Sequence, residues 1–164
     1  MNRILKISTV LTWINMIFWG LGCLLLLLGV LASGMFTMSV LLVFPSAVVL
    51  HSYAVFQLHK SIRNPAVPLN SQTPTGIRFI GFVAMFVGIS DLFAGINCIQ
   101  NAPDILKQLL NQGPQLKDLH VTAGQVRALG VFVLLIGLSV AVNVNLNFRL
   151  LRWYYFLRDS NKEK

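Results

Sequence analysis

Apolar residues along this chain gather into three long stretches that carry almost no charge. No Asp, Glu, Lys or Arg occurs between Lys6 and Lys60, and the apolar stretches 79–103 and 128–148 contain Asp91 as their one charged residue. A bilayer core about 30 Å thick takes roughly 20 apolar residues per helix. Since the first stretch has room for two helices and each later stretch for one, the pattern predicts four membrane-spanning helices.

The predicted spans cover residues 7–31, 37–58, 77–99 and 128–150 of one membrane domain, residues 1–164. Ser33 and Gly34 leave so short a connection that the first two spans are expected to form an antiparallel hairpin. The next connection, residues 59–76, contains three prolines and is predicted to be an irregular loop, because proline lacks the N–H that a helix needs. The predicted fold class is therefore an all-α integral membrane protein, a four-helix antiparallel bundle.

A short amphipathic helix is predicted in the third loop, residues 100–127. Apolar side chains recur there at helical spacing, at Ile105, Leu106, Leu109 and Leu110. Asn101 suits the N-cap position, and Gly113 followed by Pro114 suits a helix end. Such a helix is either a lid or docking surface, or an interfacial helix that shields its own leucines from water.

Lys and Arg predict the orientation of the bundle. Ten of them lie before the first span, around the second loop or after the last span, at Arg3, Lys6, Lys60, Arg63, Arg78, Arg149, Arg152, Arg158, Lys162 and Lys164. The third loop holds three, Lys107, Lys117 and Arg127, and the first turn holds none. Because basic residues favour the cytoplasmic side, both termini, loop 59–76 and the tail 151–164 are predicted to be cytoplasmic and the third loop to lie outside.

Composition excludes several classes of protein. With 55% hydrophobic residues, 11% charged residues and a mean hydropathy of +0.71, the chain has too little polar surface for a soluble domain. Its net charge of +8 lies at span ends instead of in one patch, so no nucleic-acid partner is expected. The expected partners are the lipid bilayer and either further copies of the chain or other membrane subunits.

The N-terminal apolar run is too long for the core of a signal peptide, so an uncleaved anchor that becomes the first span is expected. Short loops, the absence of Asn-x-Ser/Thr sequons and the lack of a transit signal favour a bacterial protein. The predicted location is the inner or plasma membrane.

Asp91 is the one carboxylate inside a predicted span. An ionised Asp at a helix centre costs about 2.5 to 3.5 kcal/mol, so this group is expected to face the bundle and to be protonated or hydrogen-bonded. Ser46 and Ser139 are predicted to lie at the same depth on neighbouring helices. Together the three residues form either a substrate or proton site, or a neutral acid bonded to a hydroxyl or a backbone carbonyl.

Small residues predict where helices approach closely. Gly81, Gly88 and Gly95 recur every seven residues in the third span, and Gly130 and Gly137 do so in the fourth. Glycine lets membrane helices pack at short distance, so these two spans are expected to contact each other along these positions.

A second polar layer is predicted nearer the cytoplasm, from Asn15, His51 and Asn143. It is interpreted either as the inner vestibule of a substrate path or as side chains that hydrogen-bond between helices and fix their register. The chain's histidines are too far apart by this topology for a metal site, and no catalytic or nucleotide motif occurs. Neither a metal nor a cofactor is therefore expected.

Three functional hypotheses follow from the sequence. The first is a non-catalytic subunit or interaction protein that binds other membrane helices. The second is a small proton-coupled transporter or carrier that uses Asp91 as its protonatable group. Third is an enzyme, which is not expected because the few acids have no spacing suited to an acid–base pair.

Overall fold

The computed structural model describes residues 2–34, 36–64, 66–112 and 121–160. These residues form five α-helices, one 3₁₀ helix and connecting turns, with no strand in the described part. The α-helices are α1 (Asn2–Ser33), α2 (Val43–Arg63), α3 (Thr73–Gln100), α4 (Ala102–Gln112) and α5 (Ala123–Ser160). Four helical segments, all but α4, are long and apolar enough to cross a membrane. The prediction of an all-helical protein with four such helices is confirmed.

The helices are longer than the predicted spans. Because α2 continues to Arg63 and α3 begins at Thr73, the predicted irregular loop 59–76 is wrong at both ends. Pro74 lies in the first turn of α3, where a missing N–H breaks no helical hydrogen bond. Likewise α5 continues to Ser160, so most of the predicted tail 151–164 is a continuation of the last helix.

The turn after α1 depends on one glycine. Gly34 has a φ of +68° and its N–H donates to the Val30 carbonyl oxygen at 3.0 Å, which closes the C-terminus of the helix. A 3₁₀ helix, Phe36–Leu42, then leads into α2. Pro45 therefore falls in the first turn of α2, where its missing N–H costs little. The second predicted span, 37–58, thus combines a 3₁₀ and an α segment.

The helix predicted in the third loop is present as α4. Asn101 immediately precedes it, and the backbone carbonyl of Asn101 accepts from Ile105 N–H at 3.0 Å. Its side-chain amide donates to Asn97 Oδ1 at 2.7 Å, so the predicted side-chain cap is replaced by a contact to the preceding helix. Gly113 and Pro114, the predicted stop, lie outside the described residues.

By their contacts the residues group into two compact units, Met1–Val87 with Ser139–Lys164 (unit 1) and Gly88–Leu138 (unit 2). The prediction of one membrane domain stays a prediction. Unit 1 has two buried apolar clusters, the first around Val55, Leu58, Ile77, Leu150 and Leu151, the second around Val48, Ala84, Val87, Val140 and Val144. Large apolar side chains such as Phe79 and Phe82 are about three-quarters exposed, as expected for surfaces that face lipid.

We expect Gly34→Ala to lower the thermal unfolding temperature of the detergent-solubilised protein, because a left-handed conformation costs about 1–2 kcal/mol for residues with a Cβ. Gly20→Ala is the matched control. Neither glycine has another atom within 4 Å of an added Cβ, and only Gly34 has a positive φ. Equal unfolding temperatures for the two variants would contradict this account of the turn.

Candidate functional site

One face of α1 carries polar side chains into the apolar interior of unit 1. Ser8, Thr12 and Asn15 are spaced i, i+4 and i+7, so they share one side of the helix. All three are at most 1% exposed. Buried polar groups need hydrogen-bond partners inside the protein, since the surrounding hydrocarbon offers none.

A matching face of α5 supplies those partners. Ser139, Asn143 and Asn147 are spaced i, i+4 and i+8. Ser139 Oγ donates to Asn15 Oδ1 at 3.0 Å.

Two further pairs lie along the same two helices. Thr12 Oγ1 donates to Asn143 Oδ1 at 3.1 Å, and Ser8 Oγ donates to Asn147 Oδ1 at 2.6 Å. Because residue numbers fall on α1 as they rise on α5, the two helices run antiparallel along this contact.

His59 of α2 joins this network at the Ser8–Asn147 pair. Its Nε2 lies 3.1 Å from both Ser8 Oγ and Asn147 Oδ1, and its Nδ1 lies 3.3 Å from Thr9 Oγ1. Arg63 Nη2 donates to the same Thr9 oxygen at 2.9 Å, at the exposed end of the helix. We call the following residues the polar ladder: Ser8, Thr12 and Asn15 of α1, His59 of α2, and Ser139, Asn143 and Asn147 of α5. All are buried except Ser139, which is half-buried.

The hydrogen bonds of the neighbouring groups determine which ring nitrogen of His59 carries the hydrogen. The Ser8 hydroxyl hydrogen is given to Asn147, and the Thr9 hydroxyl hydrogen is given to the Leu5 carbonyl at 2.7 Å. A hydroxyl has one hydrogen, so Nε2 of His59 must itself be the donor toward Ser8 and Asn147. The Thr9 hydroxyl can donate to Nδ1 only by turning away from Leu5.

The polar ladder is suited to holding helices together more than to moving protons. The Asn147 amide donates to the Asn143 carbonyl oxygen at 2.8 Å and to Asn143 Oδ1 at 3.0 Å, so side-chain amides form the middle of the network. A neutral amide has fixed donor and acceptor ends, unlike a hydroxyl or an imidazole. Hydrogen bonds run from His59 through Asn147 and Asn143 to Thr12, whereas Asn15 bonds only to Ser139 among the described residues and forms a separate pair. The connected part of the ladder therefore depends on amides that fix geometry.

Asn15 and Asn143, two residues of the predicted inner polar layer, lie in the ladder. Their partners are Ser139 and Thr12, and the structure gives no direct bond between the two amides. His51, the third, is about 1% exposed and packs against Gly81 and Phe148. The Ile77 backbone lies close to the His51 ring, but neither ring nitrogen completes a hydrogen bond of normal geometry within the described residues.

Sequence reasoning did not connect His59, Ser8 and Thr12 with this network. The signal that could have found it is the polar spacing itself, since Ser8, Thr12 and Asn15 repeat with the period of a helix in an otherwise apolar span. The sequence predicts His59 at the start of a loop, whereas α2 extends to Arg63 and His59 is a helical residue.

The structure shows which contacts Asp91 makes and which contacts the two serines predicted to join it make. Asp91 is half-buried, and its Oδ2 is buried without a hydrogen-bond partner among the described residues. Ser139 donates to Asn15, and Ser46 Oγ lies 3.7 Å from Cys23 Sγ. That these three residues form a substrate or proton site stays a prediction.

Close helix contacts in unit 2 occur at its glycines. A Cβ added to Gly95 would lie 2.7 Å from the Gly130 carbonyl oxygen, and one added to Gly137 would lie 2.7 Å from the Gly88 carbonyl oxygen and 2.8 Å from Asp91 Cβ. Backbone atoms cannot move aside as a flexible side chain can, so any larger residue would push the helices apart. Gly81 belongs to unit 1, where an added Cβ would lie 2.8 Å from the His51 ring.

Within the described parts of the chain, no group of three or more His, Cys, Asp or Glu side chains is arranged to hold a metal ion. Comparison of the chain with protein-family models, curated proteins and solved structures gives no match. The fold defines the class of protein as a small all-helical protein with four apolar helices long enough to span a bilayer, which is consistent with a membrane protein.

We expect Asn147→Leu to destabilise the protein by about 1–3 kcal/mol. The substitution removes the oxygen that accepts from Ser8 and His59, and both donors stay buried without that acceptor. The measurement is unfolding in increasing SDS, followed by tryptophan fluorescence. Asn145→Leu is the control, since Asn145 is exposed on the same helix and should be close to neutral. Equal shifts for the two variants would contradict a structural role for the ladder.

Proposed function

We propose that this chain is a non-catalytic membrane subunit that acts by packing against other membrane helices, with α1 as its contact surface. We place it in a bacterial inner or plasma membrane. Both termini and the connection between α2 and α3 are then cytoplasmic, which the excess of Lys and Arg at those positions supports.

The observation that carries the proposal is the exposure of α1. Six successive residues, 24–29, are all exposed. Six residues make more than one and a half turns, so every face of this segment is partly exposed, with Leu41 of the 3₁₀ helix lying beside it. In the apolar window of α1, 11% of residues are buried, against 28% to 33% in the other three candidate spans.

Small residues on α1 leave room for a second helix. Gly20, Gly22 and Gly29 have no other atom within 4 Å of an added Cβ, whereas Gly95, Gly130 and Gly137 are in close helix contacts within unit 2. An apolar groove of about 360 Å³ lies beside Gly29, lined by Leu25, Leu26, Gly29, Val30, Ser33 and Leu41. Small residues on a lipid-facing helix allow close approach of a partner helix.

The polar ladder supports the same proposal from the interior. Its side chains bond to one another and connect α1, α2 and α5, so these polar groups serve the fold of the subunit. A packing subunit needs a rigid frame that presents one helix outward, and hydrogen bonds between membrane helices supply such a frame.

A photo-crosslinking amino acid placed at Leu25 is expected to give a discrete protein adduct in native membranes. Phe79 on α3 is the control position, because the two side chains are similarly exposed, at 69% and 74%. The mass of the adduct distinguishes a second copy of the chain from another subunit. Equal adduct formation at both positions, or none at Leu25, would contradict α1 as the contact surface.

A second candidate function is proton-coupled transport through Asp91. It is favoured by one observation, the buried Asp91 Oδ2 that has no hydrogen-bond partner among the described residues. Intramembrane acids in such positions often serve as ion or proton sites.

Asp91→Asn separates the two candidates, because it keeps the size and hydrogen-bonding capacity of the side chain and removes its titration. For a packing subunit we expect wild-type accumulation and an unchanged Leu25 adduct. The companion measurement is carbodiimide labelling of wild-type Asp91 in native membranes between about pH 5 and 9, read by mass spectrometry, since the reagent selects protonated carboxyls in apolar surroundings. Labelling that falls with rising pH would favour the carrier.

A further inference from the structure

A groove at the basic end of unit 1 combines two cations with an apolar wall. It has a volume of about 410 Å³ and is lined by Arg78, Phe82, Phe148, Leu151 and Arg152. None of these residues belongs to the polar ladder or to the exposed segment of α1. The groove is within the size range of small-molecule sites in proteins, about 300–1,000 Å³.

The spacing of the lining residues places the cations and the aromatic rings in two layers. Arg78 and Phe82 are four residues apart on α3, and Phe148 and Arg152 are four residues apart on α5. Four residues correspond to about 6 Å along a helix axis. Arg78 lies near the start of α3, and Arg152 lies near the end of α5. On each helix the arginine is therefore nearer to that helix end, and the phenylalanine is nearer to the helix middle.

The surroundings hold the groove in shape. The Arg78 guanidinium carbon lies 5.8 Å from the centre of the Tyr155 ring, a cation–π contact that draws this side chain toward α5. Leu151 is 2% exposed and belongs to the apolar cluster with Ile77, so the wall between the two arginines is part of the core. Tyr154 Oη accepts from Leu69 N–H at 3.3 Å, which fixes the connection before α3 to the same helix.

The charge of this unit is not balanced within the chain. Residues 1–87 contain no Asp or Glu, and residues 139–164 contain two, Asp159 and Glu163. The same residues hold ten Lys and Arg, namely Arg3, Lys6, Lys60, Arg63, Arg78, Arg149, Arg152, Arg158, Lys162 and Lys164. Anions from outside the chain must therefore neutralise most of this charge.

We infer that the groove binds an anionic phospholipid, with its phosphate between Arg78 and Arg152 and the start of an acyl chain against Phe82 and Phe148. A guanidinium group can donate two parallel hydrogen bonds to two oxygens of one phosphate. Basic pockets between membrane helices are suited to acidic head groups. The apolar layer distinguishes this ligand from a soluble anion, which would gain nothing from the two phenyl rings. Phe82 is 75% exposed and so lies free to meet an acyl chain.

The test is titration of the delipidated, detergent-solubilised full chain with phosphatidylglycerol or phosphatidylcholine, read as bound lipid by native mass spectrometry. We expect tighter binding of phosphatidylglycerol, and a loss of about fivefold for each of Arg78→Gln and Arg152→Gln, the effect of one basic residue at an anionic membrane surface. The double variant should lose the preference between the two lipids.

The control is Arg149→Gln with Arg158→Gln, which removes the same charge from exposed positions outside the groove. It should keep the wild-type affinity within about twofold, if charge away from the groove adds little. An equal loss in the control pair would mean diffuse attraction and would overturn the site, as would unchanged binding by the Arg78 and Arg152 double variant. Displacement of the lipid by millimolar inorganic phosphate would overturn the lipid assignment in favour of a small-anion site.

Discussion

A polar side chain inside a membrane helix has no water to bond to, and this constraint underlies the arrangement of unit 1. In hydrocarbon, Ser8 and Thr12 could bond only within their own helix, as Thr9 does to Leu5, and the Asn15 amide would be left unsatisfied at a cost of several kcal/mol. They are satisfied because α5 presents Ser139, Asn143 and Asn147 with the same helical period and in the opposite direction. The relative register of α1 and α5 follows from this match, since shifting either helix by one residue would break all three pairs.

Two different interactions hold the helices within the two units. In unit 1 the contacts combine directional hydrogen bonds with apolar clusters, and α2 is tied in through His59. In unit 2 the contacts are steric, because the backbones meet at Gly95, Gly130 and Gly137 with no room for a Cβ. Hydrogen bonds select a register and glycine contacts select a distance, so both are needed to define packing where hydrophobicity alone gives helices no reason to associate.

The outer surface also divides into regions of different chemistry. The segment of α1 over residues 24–29 is apolar and exposed, whereas the opposite end of unit 1 carries cations beside aromatic rings. Lipid tails cannot distinguish one apolar helix from another, so a shape with small residues is what a protein partner would recognise on α1. At the basic end, charge supplies the selectivity, because it separates anionic from neutral head groups. The polar ladder joins α1, which carries the first surface, to α5, which carries part of the second.

The number of long helices, the short helix α4 and the uneven distribution of charge follow from the sequence alone, because bilayer thickness and the cost of charge in hydrocarbon act on each segment separately. The helix ends do not, since α2, α3 and α5 extend past the apolar stretches that define the predicted spans. The sequence also indicated that Asn15 and Asn143 would be buried among helices. That His59, and not His51 eight residues earlier on α2, joins the polar side chains of α1 and α5 is visible only in the folded structure. That choice depends on how far each helix is rotated and shifted against its neighbours. A helix that is apolar on nearly every side gives little periodic signal for its rotation, whereas a hydrogen bond requires the two atoms to lie within about 3 Å.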